Sequence, residues 1–195
     1  VSRALKFAAL YPDHLNLNGD HANLLVLQKR LEWRGVNSEI VSVERPTNLN
    51  EFDFVLLGHG SDAAWAEVLK IDSKMLNNIV DLVRSGSNVL AIASGYQKLH
   101  ELLNQKAAVQ IERVSEFKSF EGVVGYVNTE FDLPEMSRVE NSVLTLFHGP
   151  VLAKNPQLAD EIIANANWAD VSLTSDKFDE VEKLAEASRQ IAFDD

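Results

Sequence analysis

The stretch Asn88–Gln97, NVLAIASGYQ, decides how the rest of the chain is read. Val89, Leu90, Ala91 and Ile92 form a short unbroken apolar run between Ser85-Gly86-Ser87 and Gly95. A strand buried on both faces of a parallel sheet reads this way when it stops abruptly and feeds a helix. A helix is expected over Tyr96–Asn104, which leaves Ala93, Ser94 and Gly95 in a tight strand-to-helix turn. Such a turn aims one side chain out of the sheet, beside the free N–H groups of a helix start. A nucleophile placed there has oxyanion donors at hand. The apex residue here is Ala93, whose methyl group can do no chemistry. The site is built, and its reactive group is missing.

Upstream of this turn, Leu5–Tyr11 reads as a first strand and Pro12–Gly19 as a loop rich in Asn and Asp. Asp20 has the chemistry of an N-cap, and Leu24, Leu27 and Leu31 mark one face of the helix it would start. Lys29, Arg30 and Arg34 fall toward the end of that helix, where cations complement the dipole, and Gly35 stops it. Val36–Val43 reads as a second strand and Phe52–Leu57 as a third, ending in Gly58-His59-Gly60. Asp62–Leu69 and Ser73–Arg84 read as helices, with Met75, Ile79, Leu82 and Val83 as core candidates.

Downstream, Ala108–Val114 and Gly122–Asn128 have strand character, and Phe131–Glu140 reads as a polar connection around Pro134. Val143–Phe147 is a strand ending at His148-Gly149-Pro150, and a helix begins at Asn155-Pro156 and runs to about Ala164. A final acidic helix over Asp176–Ile191 turns Phe178, Val181, Leu184 and Ala185 to its apolar side. Strands alternating with helices at this spacing imply an α/β fold, a three-layer sandwich around a mostly parallel sheet, in a single domain over 1–195. Ligands in such sheets bind beyond the carboxyl ends of the strands, where Asn16–Asp20, Gly58–Asp62 and Ala93–Gly95 are expected.

The net charge of −11 argues against generic binding to nucleic acid or to an anionic membrane surface. The absence of cysteine removes disulfides, thiolate catalysis and cysteine metal sites together. No apolar run approaches the ~18 residues that span a bilayer. Ala4–Tyr11 follows Arg3 but is short and runs into Pro12-Asp13, so a strand is expected there rather than a leader, in a cytoplasmic protein.

Leu10-Tyr11-Pro12-Asp13, Leu15-Asn16, Gly19-Asp20, Asn23 and Glu32-Trp33-Arg34-Gly35 follow one another in the order found at the start of one amidotransferase family. Gly95-Tyr96-Gln97, His148-Gly149-Pro150, Lys154-Asn155-Pro156 and Leu158-Ala159-Asp160 agree with the same family further on. On these residues the chain resembles the class I glutamine amidotransferases of the cobyric acid synthase type, nearest the branch serving lipid II isoglutaminyl synthase. The resemblance spans most of the chain and is weakest between about 100 and 140. It implies a flavodoxin-like sandwich without a cofactor, and a glutaminase that supplies ammonia to a Mur-ligase-like partner in cell-wall precursor amidation.

Carried over residue by residue, the resemblance puts the nucleophile at Ala93, a cysteine in the family, and the assisting histidine at His148. It puts oxyanion and substrate contacts at Gly58, Gly60, Ser94, Gly95 and Gln97. The chain departs from the family in three places. Ala93 replaces the nucleophile, His59 stands where a glycine is usual, and the segment between Gln97 and His148 is shortened. Arg113, a cation in that segment, could meet a substrate carboxylate, and no motif anchors it.

Ser94 does not fit the nucleophile of the G-x-S-x-G pattern, and a helix N-cap is the preferred reading for it. His148 taken alone would be a loop histidine at a strand end. His59, His148 and Asp62 lack the spacing of a metal site, so no metal is expected. Trp33 and Trp168 read as core or near-core aromatics. Three readings stay open on sequence: a glutaminase subunit with an engineered alanine, a naturally non-catalytic pseudo-amidotransferase subunit, or a cobyric-acid-type amidase domain. The shortened middle and His59 favour the non-catalytic subunit over the engineered one.

Overall fold

The computed structural model describes residues 3–172 and 176–194. Its strands, in chain order, are β1 (Leu5–Leu10), β2 (Ser38–Val43), β3 (Phe54–Leu57), β4 (Val89–Ile92), β5 (Val109–Phe120), β6 (Val123–Asp132), β7 (Met136–Val139) and β8 (Ser142–Thr145). The helices are α1 (Ala22–Glu32), α2 (Asp62–Ile71), α3 (Met75–Arg84), α4 (Ser94–Asn104), α5 (Val151–Lys154), α6 (Pro156–Asn165) and α7 (Asp176–Asp194).

A six-stranded sheet has the order β2-β1-β3-β4-β8-β7, parallel except for β7, and β5 with β6 forms a separate antiparallel ribbon. β3 and β4 lie in its interior and are apolar and buried along their whole length, as strands covered on both faces must be. Helices α1, α5, α6 and α7 pack together, and α3 packs with α4. The arrangement is the expected three-layer α/β sandwich. Leu24, Leu27, Leu31, Met75, Ile79, Leu82 and Val83 are all in the core. Trp168 packs on Phe7 and Phe54, and Trp33 meets Phe178 edge to face.

Several expectations are corrected. The connection over Phe131–Glu140 contains β7, which pairs antiparallel with β8 and closes the edge of the sheet. Its short alternating run, Met136 to Val139, was hidden between charged residues. The two strand segments of the middle are longer than their apolar cores suggest, because cross-strand hydrogen bonds carry them through polar sequence. They meet at Glu121-Gly122, both at positive φ (50° and 80°), which suits a two-residue hairpin turn.

Arg30 and Arg34 do not simply complement a helix dipole. Their buried side chains converge on Asp160 of α6, with an Arg34 Nη2 to Asp160 Oδ1 distance of 2.9 Å, and both lie over the Phe178 ring. On α7, Phe178 and Ala185 are buried as expected, but Leu184 is 65% exposed and lies off the packed face. No helix among the described residues is long and apolar enough to cross a membrane.

Candidate functional site

β4 ends at Ile92, and the next residue turns sharply. Ala93 has φ 48° and ψ −110°, a conformation that costs a non-glycine residue roughly 1–3 kcal/mol. It is held there from both sides. The Ala93 N–H donates to the Thr145 carbonyl at 2.7 Å on neighbouring β8, and the Ala93 carbonyl accepts from Gln97 at 3.0 Å in the first turn of α4. Close approach of the next loop fixes the turn further. A Cβ on Gly95 would stand 2.8 Å from the Leu57 carbonyl oxygen, and one on Gly58 would stand 1.9 Å from that of Leu15. Gly58 and Gly95 therefore serve the site through the packing of three loops, and neither lines the cavity above it.

That cavity has a volume of about 360 Å³ and is walled by Ala93, Ser94, Gln97, His59, Gly60, Asp62 and His148, with Arg113, Asn128 and Glu130 from the β5–β6 ribbon. The structure thus brings together Ala93, Ser94, Gln97, Gly60 and His148 of the sequence candidates. The ribbon, the least legible part of the sequence, supplies one wall. Arg113 is in that wall, ion-paired at 2.9 Å with Glu130 across the ribbon.

Ser94 is not an N-cap. It is the first residue of α4, and Ala93 occupies the cap position without a capping side chain. The Ser94 Oγ instead accepts hydrogen bonds from the Gly60 N–H at 3.1 Å and the Trp65 indole N–H at 2.8 Å. Its own proton faces the Gly60 carbonyl at 3.1 Å and His59 Nδ1 at 2.9 Å. A hydroxyl oxygen has two lone pairs, and both are taken. Ser94 is a junction between loops, with no electron pair left to attack a substrate.

His148 is also fully engaged. Its Nδ1 accepts from the Asn18 side-chain amide at 2.7 Å, and its Nε2–H donates to the Asn128 carbonyl at 3.2 Å. Its ring meets His59 edge-on, with centroids 4.6 Å apart. Burial pushes the His148 imidazole below its ordinary pKa, against the raising effect of the Asn128 carbonyl. Burial, and then the neighbouring His148, push His59 down to about 4, so this pair is neutral at neutral pH. Neutral rings could ligate a metal, but among the described residues no three His, Asp or Glu side chains are grouped to hold one.

Asp20 is corrected as well. It caps no helix; its buried carboxylate ties two loops together, accepting from the His59 N–H at 2.9 Å and the Gly149 N–H at 3.0 Å. Burial raises its pKa, against the lowering effect of those backbone donors. Asn23 completes the clamp, donating to the Asp20 and Gly149 carbonyls and accepting from the Leu152 N–H. Trp65, Asn18 and Asn128 had no motif to announce them. An indole N–H directed into the core, an asparagine in the loop after β1 and another within β6 were the available signals.

No protein-family profile matches the chain. It is 24% identical over 196 residues to the GatD subunit of the glutamine-hydrolysing lipid II isoglutaminyl synthase of Staphylococcus aureus, spanning 79% of this chain and 81% of that protein. It is 25% identical over 208 residues to the subunit of the same name from Streptococcus pneumoniae, spanning 83% of this chain and 80% of that protein. Among solved structures, PurLQS from Thermotoga maritima shares the fold with a TM-score of 0.50 at 14% identity, over 85% of this chain and 98% of that one. A glutamine amidotransferase from Thermotoga maritima matches with a TM-score of 0.48 at 15% identity, over 98% of this chain and 94% of that one.

Proposed function

We propose that this chain, similar along most of its length to the glutamine-hydrolysing subunits of lipid II isoglutaminyl synthase, is an amidotransferase-like subunit that does not hydrolyse glutamine. One observation carries this reading: the strained apex of the elbow, where a nucleophile would be presented, bears only the methyl group of Ala93. Amide hydrolysis by this route requires an oxygen or sulfur lone pair at that point. The neighbouring groups offer no replacement. Both Ser94 lone pairs accept hydrogen bonds, and both ring nitrogens of His148 are engaged. The role left to the domain is binding, and the partner we propose is a Mur-ligase-like synthetase subunit acting on a cell-wall precursor.

Ammonia release from glutamine by the purified chain tests the reading. No release above the buffer blank is expected, alone or with a ligase-like chain from the same genome, and that chain should co-purify. Release that disappears in Ser94→Ala would overturn both the inactivity and the assignment of Ser94 as a junction. The retained cavity of about 360 Å³ favours a second reading, in which Ala93 stands in for a cysteine in an otherwise competent site. Under that reading Ala93→Cys alone would restore hydrolysis.

A further inference from the structure

We propose that the His59 imidazole occludes the elbow by occupying the Ser94 N–H, a donor an oxyanion would need, so that the site is silenced at a second point besides Ala93. The inference rests on the reading of this chain as a non-hydrolysing subunit and names what keeps it so. An elbow of this kind can stabilise an oxyanion only if its amide donors are unengaged when the substrate arrives. The Ser94 N–H, at the start of α4, has no carbonyl of its own helix to bond. It is directed instead at His59 Nδ1, at a long 3.4 Å. The Gly60 N–H on the facing loop is held by Ser94 Oγ at 3.1 Å, and the His59 N–H by Asp20 Oδ2 at 2.9 Å. The Ser94, Gly60 and His59 amides beside Ala93 therefore have partners, supplied by side chains of the same loop cluster.

The ring is itself locked. Both Ser94 Oγ lone pairs are taken by the Gly60 and Trp65 N–H groups. Nδ1 can therefore meet the hydroxyl at 2.9 Å, whose proton it shares with the Gly60 carbonyl, and the Ser94 N–H only as an acceptor; this puts the ring hydrogen on Nε2. Edge-on packing against His148 fixes the plane of the ring. Its burial and its neighbour His148 keep the ring neutral, so the acceptor at Nδ1 persists across the neutral range. A substrate carbonyl oxygen could reach the Ser94 N–H only by displacing this imidazole and breaking its bond to the Ser94 hydroxyl.

The test compares the unsubstituted chain with Ala93→Cys, Ala93→Cys/His59→Ala and Ala93→Cys/His59→Gly. A chain without other cysteines makes each introduced thiol the only one. Iodoacetamide measures general thiol exposure, and 6-diazo-5-oxo-L-norleucine measures alkylation by a glutamine-like ketone whose oxygen needs the amide donors: its diazo carbon takes a proton and the thiolate displaces dinitrogen. Ala93→Cys should react with iodoacetamide yet label with the diazoketone no faster than a surface cysteine control. Removing the imidazole should accelerate the diazoketone reaction about a hundredfold, the size expected when an oxyanion donor is gained. Equal labelling of single and double variants would overturn the proposal and leave the inactivity of the unsubstituted chain intact. Ammonia release by the unsubstituted chain would sink the underlying reading instead. A measurement independent of any variant is the ¹⁵N spectrum of the His59 ring, in which Nδ1 should be unprotonated at pH 7. A protonated Nδ1 there would also overturn the proposal.

Discussion

The elbow after β4 and the β5–β6 ribbon wall the same cavity, yet they are held in place by opposite means. Around the elbow, β4 is wholly buried, the loops touch backbone to backbone, and a single added methyl at Gly58 has nowhere to go. Most residues of β5 are exposed, and its register with β6 shifts between Gln110 and Val114. The ribbon is fastened at points. Asn155 exchanges hydrogen bonds of 2.8 Å with the Val124 N–H and carbonyl, Val127 bridges to Phe147, and the His148 N–H donates to the Tyr126 carbonyl at 2.9 Å. The floor of the site is thus set by packing density and its wall by a few polar contacts. Two-stranded ribbons are marginal by themselves, so those contacts decide whether the wall stands.

The largest expected effect lies in the floor. Gly58→Ala should destabilise the protein by more than ~3 kcal/mol, because the obstacle is a backbone carbonyl that cannot swing aside. Denaturant unfolding measures this, and a loss under ~1 kcal/mol would mean that the loops are not in fixed contact. Second comes the wall. Asn155→Ala strips partners from the buried Val124 backbone and should cost about 2–3 kcal/mol. Hydrogen exchange sharpens the contrast: amides of β6 should speed up while those of β4 keep their protection. Equal acceleration in both would show that ribbon and sheet are one cooperative unit and break the comparison.

The smallest effect is in the pH dependence. The folded-state pKa of His59 is depressed from 6.5 to about 4, so between those values the unfolded chain binds more protons. The contribution of this histidine is fully present above about pH 6.5 and is lost as the pH falls toward about 4. Burial of His148 acts in the same direction. His59→Gln should flatten the slope of stability against pH in that window, and an unchanged slope would place His59 in solvent.

The same division explains what the sequence could say. Packing leaves a strong trace in composition, so the unbroken run Val89–Ile92 and the leucines of α1 were legible, and with them the sheet and the end at which the loops gather. Point contacts leave little trace. Asp20 and Asn23 have the residue types of helix caps, and nothing local distinguishes a cap from a clamp that reaches His59 and Gly149. Ser94 carried the same ambiguity. Its partners, Gly60 and Trp65, lie 34 and 29 residues away, beyond any spacing rule. β7 was read as a connection because an edge strand needs so few apolar residues. Arg30 and Arg34 looked like ordinary cations at a helix end because Asp160 is far along the chain.

The Asp20 carboxylate also has a meaning for how the chain folds. It is bonded to amides 39 and 129 residues away, so the loops after β1, β3 and β8 cannot be joined until nearly the whole sheet is in place. Closing such long loops is entropically costly, and contacts of this separation form late. The cluster around Ala93 is therefore among the last features to assemble. Once formed, it resists opening by fraying, because releasing either amide leaves a buried carboxylate short of a hydrogen-bond partner. The site inherits the lifetime of the whole fold, which a binding surface requires and a passing local structure would not provide.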